Sequence, residues 1–255
     1  MELAGLFPWL PSLFLHFVRV GAFFVGQPMF GVQSASKTLR LILMVSLGAI
    51  FFWVNGMPIV PVSGLGDYGL LVAREALIGF ALGFCIRLMT STLKTAGEIL
   101  SHEMGFAMAQ VVDPATGKSS PVISMLFETV ALLLIFELNI HHHVLLSFAT
   151  VFEVLPVGSS FDMGPVHERL TKGVSDSIEL GIRYALPVLG VMVLLTAVLV
   201  MLARAVQNIN LMEFSFGLRI LLALLASIYF LTAGVPFLEL IFETFAEHAR
   251  NLFVV

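Results

Sequence analysis

The centre of the chain, residues 87–121, reads RLMTSTLKTAGEILSHEMGFAMAQVVDPATGKSSP. Strongly apolar sequence lies on both sides of this stretch, which is itself too polar to cross a bilayer unaided. It nevertheless contains apolar side chains from Met104 to Met108, and methionine fills irregular gaps. Gly105 permits close backbone approach, and Asp113-Pro114-x2-Gly117 is a turn signature. The residues therefore predict either a helix, apolar tip and reversing loop that plug a pore, or a cytoplasmic loop with a few buried anchors.

The composition of the whole chain indicates a membrane protein. Hydrophobic residues make up 58% of its 255 residues and charged residues only 12%. A soluble domain has about 45–50% apolar and about 25% charged residues, so this chain has too few charges for a soluble surface. We therefore predict an all-α, polytopic membrane protein with kinked helices and hairpins. The net charge of −4 and the lack of a basic run argue against nucleic acid as a partner.

Hydropathy divides the chain into apolar segments of the length that crosses a bilayer, about 20 residues as a helix. A shorter apolar piece, Val144–Leu155, could be re-entrant, interfacial or packed on protein. No internal repeat or linker is visible, so residues 1–255 are predicted to form a single domain. The six predicted segments are Trp9–Gly31, Leu39–Met57, Tyr68–Met89, Val122–Leu138, Ile178–Ala203 and Phe214–Phe242.

Basic residues in the short connections predict the orientation. Lys37 and Arg40 flank the first connection, residues 87–118 carry Arg87, Lys94 and Lys118, and Arg204 and Arg219 flank the last connection. The positive-inside rule then places these three connections in the cytoplasm and both termini outside, if the chain is inserted in the conventional way.

Charges inside or beside the apolar segments predict helices that pack against protein as well as lipid. A charge at the centre of a membrane helix costs about 2.5–3.5 kcal/mol, so such groups must pair or face water. Glu179 and Arg183 can pair because they are four residues apart. Gly79-x3-Gly83 permits close helix approach, although such spacing also arises by chance. The candidate inter-helix or inter-subunit charges are Arg19, Arg74, Glu75, Glu98, Glu128, Glu137 and Arg204.

Motifs for catalysis, metal binding or cofactor binding are absent from the sequence. His141, His142 and His143 are consecutive, so on a helix they point in different directions and cannot all ligate one metal. A single cysteine, Cys85, makes neither an intrachain disulfide nor a multi-thiolate site. We therefore expect no enzyme, no metal and no cofactor. An alternative is a secondary transporter of a small solute that uses intramembrane charges, although such transporters often contain repeats.

Residues spread over nearly the whole chain resemble the FliR/SctT family of type III secretion export-apparatus proteins. The central stretch carries the most specific likeness, in Ala96-Gly97-Glu98, Met104-Gly105 and Asp113-Pro114-x2-Gly117. The chain departs from the family pattern at Ile140, Gln207, Asn208 and Gly217. The other matching residues are Phe17-x-Arg19, Pro28, Phe30-Gly31, Arg40, Glu75-x3-Gly79-x3-Gly83, Asn139-x-His141-His142, Leu155-Pro156-Val157-Gly158, Arg204-Ala205, Asn210, Phe216 and Arg219.

The resemblance implies a non-enzymatic subunit of the flagellar export gate, and the central stretch favours the flagellar over the injectisome branch. It implies assembly with FliP-like and FliQ-like subunits, association with an FlhB-like protein, and passage of unfolded flagellar export substrates. It also implies a place in the bacterial inner membrane at the flagellar basal body, with the assembled gate partly on the periplasmic side. Hydropathic segments would then be helical without all crossing the membrane. The plug would consist of Met104, Gly105, Phe106, Met108, Asp113, Pro114 and Gly117.

Overall fold

The computed structural model describes residues 8–26, 37–61, 64–104, 110–112, 119–159, 163–205, 211–233 and 235–253. Most of these residues are helical, which confirms the all-α membrane class. The described helices are α1 (Leu10–Gly26), α2 (Lys37–Val54), α3 (Leu65–Glu103), α4 (Val122–Glu137), α5 (Ile140–Val154), α6 (Met163–Ala205), α7 (Leu211–Ala233) and α8 (Val235–Asn251).

The chain divides into two compact units, and three of the helices run from one unit into the other. Unit 1 consists of Met1–Leu88, Asn139–Val174 and Thr244–Val255. Unit 2 consists of Met89–Leu138 and Ser175–Glu243. Each unit is therefore built from segments that are far apart in the sequence, and α3, α6 and α8 each contribute to both.

The predicted segments contain helices, but several boundaries differ from the hydropathy prediction. Helix α3 does not end near Met89; it continues to Glu103 and takes in the first half of the polar centre. This is possible because residues 89–103 contain no proline and much of that stretch is buried. Within the segment Phe214–Phe242 the structure describes two helices, α7 up to Ala233 and α8 from Val235. Pro187 lies inside α6, which begins at Met163, well before the predicted segment, and continues to Ala205.

Aromatic side chains form much of the core of unit 1. The ring centroids of Phe23 and Phe148 lie 4.5 Å apart. Phe51 stacks on Phe152 at 4.9 Å, and Phe148 meets Phe152 edge to face at 5.2 Å. Such pairs add about 0.5–1.5 kcal/mol each beyond the area they bury. Helix α5, the piece too short to span, is therefore packed on α1 and α2.

The described part of the chain also contains one short antiparallel β-ladder. Strand β1 (Gln110–Val112) pairs with β2 (Ser119–Pro121), with Val112 opposite Ser119 and Gln110 opposite Pro121. Helix α4 begins directly after β2. The two strands run in opposite directions, and Val112 and Ser119 are partners in the ladder.

Two of the described helices are long and apolar enough to cross a membrane, namely Leu65–Glu103 and Gly164–Leu202. A third span is possible if α4 and α5 together form one broken span. Large apolar side chains are exposed along α2, α6 and α7, among them Trp53 at 71%, Met201 at 71% and Tyr229 at 66%. Such surfaces are typical of contact with lipid or with other subunits.

Candidate functional site

Helices α1 and α3 cross at backbone contact within unit 1. A Cβ atom built on Gly79 would collide with the carbonyl oxygen of Arg19, and one built on Gly83 would collide with that of Phe23. A Cβ on Gly26 would lie 2.8 Å from the carbonyl oxygen of Phe80. The two glycines of the predicted GxxxG motif thus lie at this crossing, where any larger residue would force the helices apart.

A buried ion pair joins the same two helices one turn from Gly79. Arg19 Nε lies 2.5 Å from Glu75 Oε2, and the two side chains are only 0% and 1% exposed. Arg19 Nη1 donates to the carbonyl oxygen of Leu155 at 2.8 Å. The other carboxylate oxygen, Glu75 Oε1, accepts a hydrogen bond from the Gly158 amide at 2.9 Å. The pair therefore ties α1 and α3 to the turn that follows α5.

The guanidinium of Arg19 also lies over an aromatic ring. Its Cζ atom is 4.6 Å from the centroid of Phe152, a distance typical of a cation–π contact. Its Nη2 atom is buried and has no hydrogen-bond partner among the described residues. Removing two charges from water is costly, and the pair, the two backbone hydrogen bonds and the ring together offset that cost.

His16 belongs to the same buried cluster, and sequence analysis did not single it out. Its ring stacks on Phe152 at 5.4 Å with an interplanar angle of 6°, and meets Phe52 edge to face at 5.4 Å. Its Nδ1 is 2.8 Å from the carbonyl oxygen of Ser12, four residues earlier in the helix. The only signal in the sequence was a polar residue on the buried face of an apolar helix, three residues before Arg19.

The other predicted charges lie apart from the buried pair of Arg19 and Glu75. Glu128 lies 3.5 Å from Lys94, and both side chains are about one-third exposed. Glu179 and Arg183 form the expected pair at 2.6 Å on the surface of α6. Glu98 is half-buried, and the three exposed charges are Arg74, Glu137 and Arg204. The buried pair is thus distinct from these charges, which are at or near the surface.

The second half of α3 packs tightly against α4 in unit 2. A Cβ atom on Gly97 would lie 2.8 Å from Ser124 Cα and 3.1 Å from Phe127 Cβ. Ser101 Oγ donates to the carbonyl oxygen of Gly97 at 2.7 Å, so its hydroxyl is satisfied within α3. Met104, the first residue of the predicted plug, is fully buried. This packing fixes the end of α3, which leads into residues 105–118, the central loop.

Helix α6 contacts the same part of α3 through hydroxyl groups within unit 2. Ser177 Oγ lies 3.0 Å from Thr92 Oγ1 and 3.1 Å from Ser91 Oγ. A Cβ on Gly181 would lie 2.8 Å from the carbonyl oxygen of Thr92. Polar side chains of the central stretch are therefore buried with hydrogen-bond partners, which explains how a polar sequence packs inside a helical protein.

Most of the predicted plug lies outside the described residues. Gly105, Phe106, Met108, Asp113, Pro114 and Gly117 are among these, so their predicted roles stay predictions. The structure describes Met104 before these residues, strand β1 between residues 109 and 113, and strand β2 after residue 118.

The consecutive histidines lie at the start of α5. His142 Nδ1 is 3.2 Å from His141 Nε2, and His142 and His143 are exposed. Within the described part of the chain, no three side chains of His, Cys, Asp or Glu are grouped as a metal site would need. Cys85 is buried at 1% exposure.

Comparison with known proteins identifies the family. The sequence model of the family described as "Bacterial export proteins, family 1" matches residues 10–245. The chain belongs to this family. The match includes the buried ion pair, the α3–α4 contact and the central loop, and it confirms the resemblance to the FliR/SctT family.

Several relatives in this family carry the same name, flagellar biosynthetic protein FliR. The relative from Escherichia coli (strain K12) is 29% identical over 246 residues, which are 96% of this chain and 89% of the relative. The relative from Bacillus subtilis (strain 168) is 28% identical over 95% of this chain and 94% of its own length. The relative from Aquifex aeolicus (strain VF5) is 27% identical over 97% and 93%. The likeness therefore extends over nearly the full length of each protein.

Proposed function

We propose that this chain is a non-enzymatic subunit of the flagellar protein export gate and forms part of the channel for unfolded flagellar subunits. The observation that carries this proposal is the family match over residues 10–245, together with relatives named FliR over nearly their full length. The match favours protein export over the alternative of a small-solute transporter. Two of the charges that suggested a transport site also have protein partners, since Glu75 pairs with Arg19 and Glu128 with Lys94.

The proposed partners are FliP-like and FliQ-like subunits and an FlhB-like protein, in the bacterial inner membrane at the flagellar basal body. The exposed apolar side chains of α2, α6 and α7 support this proposal, because surfaces of that kind need lipid or other subunits to cover them. We propose, as the resemblance implies, that the assembled gate stands partly on the periplasmic side. Residues 1–255 would then act as one gate subunit, even though they pack as two compact units.

The central loop is the proposed plug of the closed channel. Gly105, Phe106 and Met108 would supply the apolar tip, Met104 would be its buried anchor, and Asp113, Pro114 and Gly117 would shape the return. Two described features support this proposal: Met104 is anchored in the protein interior, and the ladder of β1 and β2 brings residues 112 and 119 together. The chain before the loop is thus anchored by a buried side chain, and the two paired strands bring residues 112 and 119 next to each other.

Deletion of the loop tests the proposed function. In one variant a short Gly-Ser linker replaces residues 105–118, and the assembled complex is purified from native membranes. We expect the partner subunits to co-purify as with the parent chain, because the described packing of α3 and α4 is retained. We also expect cells with this variant to leak ions or a small dye at rest. The unmodified complex is the control, and an assembled variant that stays as tight as the parent would contradict the plug.

A further inference from the structure

We propose that Gly97 is a positioning residue for the central loop. It lets α3 and α4 pack at backbone contact and so sets where both loop ends lie. This inference rests on the proposed plug function, but its observations come from described residues of unit 2. A Cβ on Gly97 would lie 2.8 Å from Ser124 Cα, 3.1 Å from Phe127 Cβ and 3.3 Å from the carbonyl oxygen of Ile123. Two of these three atoms are backbone atoms, which cannot move aside as the far end of a flexible side chain can.

The contacts between the two helices define an antiparallel register. Gly97 faces Ser124, while Lys94 Nζ reaches Glu128 Oε2 at 3.5 Å. Lys94 lies three residues before Gly97 on α3, and its partner Glu128 lies four residues after Ser124 on α4. The two helices therefore run in opposite directions, and the end of α3 lies beside the beginning of α4. Both ends of the central loop therefore leave the α3–α4 pair at the same end.

Gly97 lies close to both loop ends. It is seven residues before Met104, or about 10.5 Å along the helix, and its neighbour Ser124 is three residues after Pro121. Ala96, Leu100 and Met104 are buried on the same helix, at 0%, 1% and 0% exposure. Buried side chains hold α3 in place, so a change in the α3–α4 spacing is passed on to the loop ends.

The size of the displacement follows from the contact that a side chain at Gly97 would make with Ser124. Ordinary van der Waals contact for a Cβ is 3.4–4 Å, whereas the distance at Gly97 would be 2.8 Å. Gly97→Ala therefore needs the two backbones to separate by about 0.6–1.2 Å, and Gly97→Val needs more. If the loop is the plug, a separation of this size would loosen its contacts, because dispersion contacts weaken steeply with a gap of 0.5–1 Å.

The test uses Gly97→Ala and Gly97→Val in the assembled complex. The matched controls are Gly69→Ala and Gly69→Val, since Gly69 lies in the same helix and a Cβ there would meet no atom within 4 Å. The first readout is the resting leak of a small dye. The second is the yield with which a short thiol-reactive reagent cross-links Lys94→Cys to Glu128→Cys, in a chain that also carries Cys85→Ala.

We expect both Gly97 variants to assemble, to leak several-fold faster than the parent and to lose cross-linking yield, with valine exceeding alanine. The Gly69 variants should match the parent in both readouts. The inference is overturned if Gly97→Ala prevents assembly, if both Gly97 variants remain tight, or if they leak without a loss of cross-linking. A leak in the Gly69 variants as large as in the Gly97 variants also overturns it.

The outcomes separate this inference from the proposed function. If deletion of residues 105–118 causes a leak and the Gly97 variants do not, the plug stands and the positioning role fails. If that deletion leaves the complex tight, the plug itself fails, whatever the Gly97 variants show.

Discussion

Replacing Arg19 with methionine should release the turn after α5, because Glu75 would keep its charge in the protein interior without a partner. The two side chains are 0% and 1% exposed. Breaking a buried pair from one side costs about 3–5 kcal/mol. Glu75→Met should lower the stability by a similar amount, since it leaves the Arg19 guanidinium buried without its partner. The double variant removes both charges and leaves only the Leu155 carbonyl and the Gly158 amide without these partners, at about 1–3 kcal/mol each. Its cost should therefore be about 2–6 kcal/mol, below the sum of the two single variants, which is about 6–10 kcal/mol.

Hydrogen exchange at the Gly158 amide measures this effect in the assembled complex. That amide donates to Glu75 Oε1 at 2.9 Å, and Arg19→Met leaves this acceptor in place. A loss of about 3–5 kcal/mol in local stability corresponds to an exchange rate roughly two to four orders of magnitude faster. Arg74→Met is the matched control, because it removes an exposed charge next to Glu75 without touching the pair. The reasoning is refuted if Arg19→Met raises the exchange rate of the Gly158 amide less than tenfold. It is also refuted if the stability lost in the double variant equals the sum of the stabilities lost in the two single variants.

Two further predictions concern helix α3. Gly79→Leu should separate α1 from α3 and lower the yield of assembled complex, because even a Cβ at Gly79 collides with the Arg19 carbonyl oxygen; Gly69→Leu in the same helix should assemble normally. Equal yields for these two leucine variants would show that the crossing tolerates a side chain. Cys85 is 1% exposed, so a maleimide should label it at least a hundredfold more slowly in the folded complex than after denaturation. Rapid labelling of the folded complex would show that this part of unit 1 opens to solvent.

The sequence predicted the helices well where apolar residues dominate, and less well where polar side chains are buried. Hydropathy located the apolar parts of α1, α2, α4 and α6, because burial of apolar surface drives their packing. It ended α3 near Met89, because residues 90–103 are rich in polar groups. Those groups are compatible with the interior because Thr92 reaches Ser177, 85 residues later in the chain. A partner at that separation leaves no trace in local hydropathy.

The candidate site shows the same limit. The sequence indicated that Arg19 and Glu75 each need a partner, since neither charge is stable alone among apolar residues. It could not show that they pair with each other across 56 residues, or that Leu155 and Gly158 complete their hydrogen bonding. His16 was missed because one histidine in an apolar helix has no distinguishing pattern.

The division into units has a consequence for synthesis. The core of unit 1 includes Phe245, Ala249 and Leu252, all no more than 2% exposed, alongside helices built from residues before 89. Arg169 holds the end of α8 through the carbonyl oxygens of Asn251 and Leu252. The ribosome makes α1 to α3 long before it makes these residues, and closing contacts over such sequence separations is slow. The apolar surfaces of the earliest helices of unit 1 therefore stay incompletely buried until translation has passed residue 252.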